Sequence, residues 1–242
     1  MILRIAFALA LGLATLAAVA APVPKELEKL GPPTKEQLKE SRDKLEKIGF
    51  AIYGCGDVNN GVMPNNVCDK DGKPVLSWRV LLLPYLDEEK LFAEFRLDES
   101  WDSKHNKALI EKIPKIYKPI RVTSELGYTF YRGFNGPDTT FETGKKLKLV
   151  GIPDGCSNTI MVVEAGEPCI WTKPDDLSYD ADKALPKLGG MFEGDFHVAM
   201  ADGTVLPGNS KKMNAAEFHL LITCSDGHIV SRNRALGHEK KK

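Results

Sequence analysis

The stretch that decides the fold is Phe196-His197-Val198-Ala199-Met200-Ala201-Asp202-Gly203-Thr204-Val205. Two short runs rich in apolar residues, His197–Met200 and Thr204–Leu206, flank its Asp202-Gly203 pair. Asp-Gly between two such runs predicts a β-hairpin, because these two residue types accept the positive φ angles of a type I′ turn. The C-terminal half of the chain is therefore expected to contain antiparallel strands.

Further elements are predicted on both sides of this hairpin. Upstream, apolar and β-branched residues predict strands over Tyr128–Arg132, Leu147–Val150 and Thr159–Glu164. Downstream, Ala215–Thr223 predicts a helix, and Ile229-Val230 predicts the end of a strand. The second half of the chain thus consists mainly of short strands.

The first half of the chain has a helical pattern instead. Thr34 and Gln37 have the spacing of a capping box, in which each side chain binds the other residue's backbone N–H. This predicts an amphipathic helix that begins after Thr34 and is ended by Gly54 and Gly56. Its apolar face is formed by Leu38, Leu45, Ile48 and Ile52. Short helices are predicted over Ser77–Leu86, Glu88–Phe95 and Ser103–Ile113.

Helices that precede an antiparallel sheet indicate the α+β class. The chain has no internal repeat or low-complexity linker, so residues 34–236 are expected to form a single domain. A proline-rich irregular leader at 21–33 precedes this domain, and a basic tail at 237–242 follows it.

Residues 1–20 have the pattern of a secretory signal peptide. Arg4 supplies the basic start, an uncharged apolar run extends from Ile5 to Val19, and small residues stand at Ala18 and Ala20. This run has about 15 residues, whereas a membrane span needs roughly 20. We therefore expect cleavage after Ala20, a periplasmic or secreted protein, and no transmembrane anchor once the signal is removed.

Composition excludes some classes of partner. The 33 basic and 33 acidic residues give a formal net charge of zero. No basic field is present to bind a polyanion, so nucleic acid is not an expected partner. No motif calls for a cofactor, and none is expected.

The five cysteines suggest disulfides if the protein is exported. Cys55 and Cys68 are thirteen positions apart, and so are Cys156 and Cys169, with turn-rich sequence inside each pair. Two local disulfides, with Cys224 unpaired, would fit this spacing. Free buried thiols remain the alternative, because spacing alone does not determine connectivity. The absence of a C-x-x-C pair argues against a structural zinc site.

No group of residues makes a convincing catalytic site. His197 and Asp202 could form an acid–base pair, but a hairpin turn explains them better. Asp102, Ser103 and His105 are too close in sequence for a hydrolytic triad, and a helix cap explains their order.

Two further features are candidates for binding a ligand. Asp69-Lys70-Asp71-Gly72 resembles the start of a calcium loop, but later ligand positions are missing, which favours a tight turn and no metal site. Trp171 is the best candidate for an exposed aromatic contact with a sugar or peptide. Trp78 lies in an apolar run and is expected in the core.

Five motifs in order resemble those of the DUF1559 family, prepilin-like bacterial proteins named for an H-x9-DG signature. They are 69–86 (DKDGKPVLSWRVLLLPYL), 99–107 (ESWDSKHNK), 157–165 (SNTIMVVEA), 171–177 (WTKPDDL) and 196–205 (FHVAMADGTV). The resemblance runs from about Ser41 to Ile229. It implies a pseudopilin-like α+β fold and an extracytoplasmic location, and it implies no reaction.

The chain departs from the family pattern at two places. Family members typically begin with a prepilin leader and a long apolar helix, whereas this chain has a cleavable-looking signal and a polar helix. The signature residues would be His197, Asp202 and Gly203, but His197 lies only five positions before Asp202, and Phe192 lies ten before it.

These observations predict an exported, non-enzymatic, pseudopilin-like protein that acts through contacts with proteins or cell-envelope components. One alternative is an extracytoplasmic hydrolase that uses His197 or His105 with nearby carboxylates. Another is a module that binds a metal or a glycan.

Overall fold

The structure is a computed structural model that describes residues 31–121 and 127–238. The predicted signal peptide at 1–20 and most of the leader at 21–33 lie outside the described residues, as do the last four residues of the basic tail.

The predicted amphipathic helix is α1, Lys35–Val58. The capping box is confirmed: Gln37 N donates to Thr34 Oγ1 at 3.2 Å, and Thr34 N donates to Gln37 Oε1 at 3.0 Å. Its inward face buries Ser41, Leu45, Ile48, Gly49, Ala51, Ile52, Cys55 and Gly56. The helix packs on one face of the main sheet.

The predicted end of this helix is wrong. Gly54 and Gly56 stay helical, and the helix ends at Val58 with Asn59 as its C-cap. Gly54 packs closely against Tyr85, because a Cβ at this position would lie 3.1 Å from the Tyr85 ring. Asn60 then takes a φ of 56° and turns the chain away, a conformation that asparagine tolerates.

Short elements connect α1 to the main sheet. They are β1 (Val67–Cys68), β2 (Pro74–Leu76), α2 (Trp78–Leu81), a 3-10 helix at Leu83–Tyr85, α3 (Glu89–Phe92), α4 (Lys104–Lys107) and a second 3-10 helix at Ile110–Lys112. The three predicted helical regions are thus confirmed as short helical turns. β1 and β2 form a hairpin whose turn is closed by Asp69 Oδ1, which accepts from the N–H groups of Asp71 and Lys73, both at 2.9 Å.

The main sheet has four antiparallel strands in the order β3-β5-β7-β8. These are β3 (Tyr128–Arg132), β5 (Ile160–Ile170), β7 (Asp195–Met200) and β8 (Val205–Asn209). A separate parallel pair joins β4 (Phe134–Asn135) to β6 (Leu177–Ser178). A third 3-10 helix, Cys156–Asn158, precedes β5, and α5 (Ala215–Ile222) and α6 (Arg232–Ala235) complete the fold. The α+β class is therefore confirmed.

Two predicted strands are not formed. Leu147–Val150 makes one isolated bridge, through Lys148 to Val62, because its backbone hydrogen bonds go to the loop after α1 and not to the sheet. Ile229 is 99% exposed and belongs to no strand.

The hairpin around Asp202 is confirmed, but its turn type is not I′. Only Gly203 has a positive φ, at 84°, whereas Asp202 does not. Gly203 N donates to Met200 O at 3.0 Å, and Met200 N donates to Thr204 O at 2.9 Å. This is the geometry of a type I turn followed by a glycine bulge.

The main sheet separates two apolar clusters because side chains alternate between its faces. Ala199 and Val162 face α1 and the short helices, whereas Val198 and Phe196 face the cluster that contains Phe218 of α5. Polar residues of β5 and β7 on this face therefore lie beneath α1 and the short helices. Within residues 31–121 and 127–238, no helix has the length and apolar character that crossing a membrane requires.

Candidate functional site

Four buried polar residues meet between α1 and the main sheet. Ser41 comes from α1, Tyr131 from β3, Glu164 from β5 and His197 from β7. The first three are fully buried, and His197 is 5% exposed. Tyr131 lies opposite Glu164 in the sheet register, and β7 is the next strand, so the sheet places these side chains on one face.

Glu164 is the centre of this polar cluster. Its Oε1 accepts a hydrogen bond from Ser41 Oγ. Its Oε2 accepts from His197 N at 2.8 Å and lies 3.2 Å from His197 Nδ1. Ser41 Oγ lies 3.2 Å from the Tyr131 hydroxyl. The buried carboxylate is thus held by both a helix and a strand, as a buried charge requires.

The pKa of Tyr131 is well above its usual value. Burial is the main cause, and the charge of the neighbouring Glu164 adds to it. Tyr131 therefore stays neutral and serves as a hydrogen-bonding group, not as a base.

The order of these groups is not that of a hydrolytic triad. In a triad the histidine lies between the serine and the acid, so that it can remove the serine proton. Here Glu164 lies between Ser41 and His197, and the imidazole Nδ1 faces the carboxylate. The arrangement can fasten α1 to the sheet, but it presents no activated serine to a substrate.

His197 and Asp202 do not form a pair. Asp202 Oδ1 accepts from Thr204 N at 2.9 Å and from Thr204 Oγ1 at 2.6 Å, which stabilises the turn. His197 is engaged with Glu164. The structure thus agrees with the hairpin interpretation of Asp202 and Gly203.

His105 belongs to a different part of the molecule. Its Nε2 lies 2.7 Å from the carbonyl oxygen of Glu94. Ser103 caps α4, since its Oγ accepts from Asn106 N at 3.1 Å. This agrees with the predicted cap, and His105 is joined to no carboxylate of the buried polar cluster.

A second buried network surrounds Arg79, which the sequence placed only within an apolar run. Its Nη2 lies 3.5 Å from Asp176 Oδ1, and both side chains are fully buried. Arg79 Nε also donates to Tyr131 O at 2.8 Å, and Nη1 donates to Ser77 Oγ at 2.6 Å. The two networks therefore meet at Tyr131.

Asp176 is satisfied from several elements. Its Oδ1 accepts from Trp78 Nε1 at 3.0 Å and from Gly133 N at 3.1 Å, and its Oδ2 accepts from Asn66 Nδ2 at 2.8 Å. The sequence did contain a signal for this network, because Arg79 is a charged residue in an otherwise apolar motif and Asp176 is one in a turn-forming motif. Their pairing depends on contacts across 97 positions.

The two local disulfides that the cysteine spacing suggested are not formed, and the alternative of free thiols is the one observed. All five cysteines, Cys55, Cys68, Cys156, Cys169 and Cys224, are free. The two cysteines of each suggested pair contact different residues. Cys68 Sγ donates to Asn66 O at 3.7 Å, whereas Cys55 Sγ accepts from Asn59 Nδ2 at 3.4 Å. Likewise, Cys156 Sγ donates to Leu149 O at 3.0 Å, whereas Cys169 lies buried within β5.

None of these thiols is activated. Burial raises the pKa of every one of them, and it raises the pKa of Cys224 to about 12. Because the thiolate is the reactive form, a raised pKa makes them poor nucleophiles.

The prediction that Trp171 is an exposed contact residue is wrong. Trp171 is fully buried, and its Nε1 donates to Ile110 O at 2.9 Å. Its ring packs edge-on against Phe95 and stacks with Tyr117, with centroid distances of 5.6 and 5.9 Å. Trp78 is also fully buried, as predicted. The part of the chain that the structure describes contains no group of three or more His, Cys, Asp or Glu residues placed to hold a metal ion.

Comparison with known proteins identifies the family without an activity. No curated protein and no solved structure matches the chain. Residues 41–176 match the family described as "Protein of unknown function (DUF1559)". This match includes Ser41, Arg79, Tyr131, Glu164 and Asp176, and it ends before the hairpin. Because it covers more than half of the 242 residues, the chain belongs to the DUF1559 family.

Proposed function

We propose that this protein is an exported, non-enzymatic, pseudopilin-like protein that acts through contacts with proteins or cell-envelope components. The observation that carries the proposal is the use made of its chemically capable side chains. Ser41, Glu164 and His197 are buried and bound to one another beneath α1. Side chains that are buried and hydrogen-bonded to one another between a helix and a sheet are not accessible to a substrate.

The arrangement of elements supports the pseudopilin-like part of the proposal. One long helix, α1, lies on a face of a four-stranded antiparallel sheet, and it precedes that sheet in the chain. A fold of this kind serves many functions, so the proposed contacts would be made by the surface of the scaffold and not by the fold as such.

The sequence pattern of residues 1–20 supports export. A basic start, a short apolar run and small residues at Ala18 and Ala20 are the features that a signal peptidase recognises. On this proposal the contacts are made outside the cytoplasm by the chain that begins at Ala21.

Export and contact can be tested in one experiment. The full gene product, with a C-terminal tag, is expressed in its host, cells are fractionated, and the tagged chain is cross-linked and captured. We expect an N-terminus at Ala21 and specific capture of envelope components. The control carries Leu11→Arg and Leu13→Arg in the apolar run, and it should remain in the cytoplasm uncleaved.

Two results would overturn the proposal. One is a chain that stays cytoplasmic with residues 1–20 intact. The other is turnover of a hydrolase substrate by the purified protein that disappears in both His197→Ala and Glu164→Gln variants that remain folded, since this would support the enzyme alternative.

A further inference from the structure

An open groove runs beside the outer part of α1, away from the buried polar cluster. Its volume is about 860 Å³, and its apolar lining includes Phe50, Tyr85, Leu86 and Ile116. Phe50 is 70% exposed, although it lies in the middle of a long, well-packed helix. Phe50 is thus a large exposed apolar side chain beside a groove whose lining is about half apolar and half polar.

The rim of the groove carries charges of both signs, and some of them form no salt bridge with another described residue. Among the described residues, Lys47 and Lys115 form no salt bridge, and neither do Asp87 and Glu88. By contrast, the other charged groups on α1 at this groove are paired, Asp43 with Lys39 and Lys44 with Glu40. Lys115, Asp87 and Glu88 therefore form no salt bridge at this groove in the part of the chain that the structure describes. The pKa of Asp43 is lowered by its hydrogen bond from Lys39, and Lys47 also lies close enough to lower it.

We propose that this groove is occupied by a second copy of the same chain, related by a two-fold axis. A two-fold contact uses the same patch on both subunits, so the patch must complement itself. The rim carries both signs, so in this arrangement Lys47 and Lys115 of one copy would face Asp87 and Glu88 of the other, with each Phe50 in the partner's groove. A nucleic acid or an anionic membrane would instead select a rim of one sign.

This inference is independent of the proposed function. Self-association through the groove requires neither export nor the absence of catalysis, and a monomeric protein could still contact the envelope. Failure of one proposal therefore leaves the other standing.

The test measures oligomeric state by sedimentation velocity over a wide range of concentrations, with the chain purified as the cell produces it. We expect a reversible monomer–dimer equilibrium. Phe50→Asp should weaken the dimer by about 30-fold or more, as loss of a central anchor residue does. The matched control is Val150→Asp, which places the same charge on an apolar residue that is 89% exposed and lies outside the groove. It should leave dimerisation unchanged.

A charge-exchange experiment tests the two-fold arrangement itself. Lys47→Glu with Lys115→Glu makes the rim acidic, and Asp87→Asn with Glu88→Lys makes it basic. Asparagine is chosen at 87 because Asp87 has a φ of 60°. Each double variant should be monomeric alone, and an equimolar mixture should restore dimers, since the acidic rim then meets the basic one.

Circular dichroism must show that each variant is folded. A wild-type chain that is monomeric at every concentration would overturn the proposal. So would a dimer that survives Phe50→Asp, or double variants whose mixture stays monomeric.

Discussion

Glu164 shows how much one buried carboxylate contributes to this fold. It lies on β5, receives a hydrogen bond from Ser41 of α1, and receives another from the backbone of His197 on β7. A buried carboxylate without such donors would cost several kcal/mol, so these contacts are requirements of the fold.

We expect Glu164→Gln to lower the free energy of unfolding by about 2 kcal/mol. The neutral amide has one acceptor oxygen where the carboxylate has two, so the hydrogen bonds from Ser41 and His197 would have to rearrange in a buried site. Urea denaturation measures the change. The control is Glu167→Gln, an exposed position on the same strand, which should change stability by less than about 0.5 kcal/mol. Equal losses in the two variants would contradict a special role for Glu164.

At the residue scale, the sequence predicts the burial of one tryptophan correctly and the burial of another wrongly. The apolar neighbours of Trp78 correctly predict that it lies in the core, whereas the flanking Cys169 and Pro174 wrongly favour an exposed Trp171. The segments that cover Trp171 contain Phe95 and Ile110, more than sixty positions away. Local sequence cannot show such cover.

At the scale of elements, α1 illustrates both success and failure. Its start was predicted to the residue, because a capping box depends on Thr34 and Gln37 alone. Its end was misplaced, because glycine tolerates both helical and left-handed φ, and packing chooses between them. At Gly54 the chain stays helical, and the Tyr85 ring lies where a Cβ would be crowded.

Gly49→Ala should stabilise the protein by about 0.5–1 kcal/mol. Gly49 is inside α1, and a Cβ there would meet no atom within 4 Å, so the gain in helix propensity is not offset by a clash. Thermal and urea denaturation measure it. The matched control is Gly54→Ala in the same helix, where the Cβ would press on Tyr85 at 3.1 Å and the gain should be lost. A destabilised Gly49→Ala variant would contradict this account.

At the scale of the whole molecule, polar groups connect segments that are distant in the chain. The Arg79 network joins α2 to the segment around Asp176, and the Glu164 cluster joins α1 to β5 and β7. A third connection holds the loop after α5: Asp138 Oδ2 accepts from the N–H groups of Cys224 and Ser225 at 3.2 and 2.9 Å.

This third connection predicts a dependence of stability on pH. Burial tends to raise the pKa of Asp138, but hydrogen bonds from Ser225 and Lys145 outweigh it and lower the pKa below the ordinary value of 3.8. The folded state therefore binds this proton less readily than the unfolded state. Its stabilisation is present above the ordinary pKa and is lost as the pH falls through the lowered one.

Asp138→Asn should cost about 1–2 kcal/mol at neutral pH, and the difference from wild type should shrink below about pH 4. Asparagine keeps the φ of 60° accessible, so the turn itself is preserved. Urea denaturation across this pH range measures the difference. Asp71→Asn, at an exposed aspartate in the β1–β2 turn, should stay close to wild type throughout. A cost at Asp138 that is independent of pH would show that its charge is not what stabilises the loop.

The sequence by itself determined the α+β class, the start of α1, the hairpin at Asp202-Gly203 and membership of the family. These follow from caps, turns, periodicity and ordered motifs, all of which act between residues close in the chain. Only the tertiary structure decided that Trp171 is buried, that the five thiols are free, and that Ser41, Glu164 and His197 meet. The Ser41–Glu164 contact joins residues 123 positions apart, and the Glu164–His197 contact joins residues 33 apart. A buried charge is satisfied by whichever groups the packing of helix on sheet brings to it, and local sequence does not contain that information.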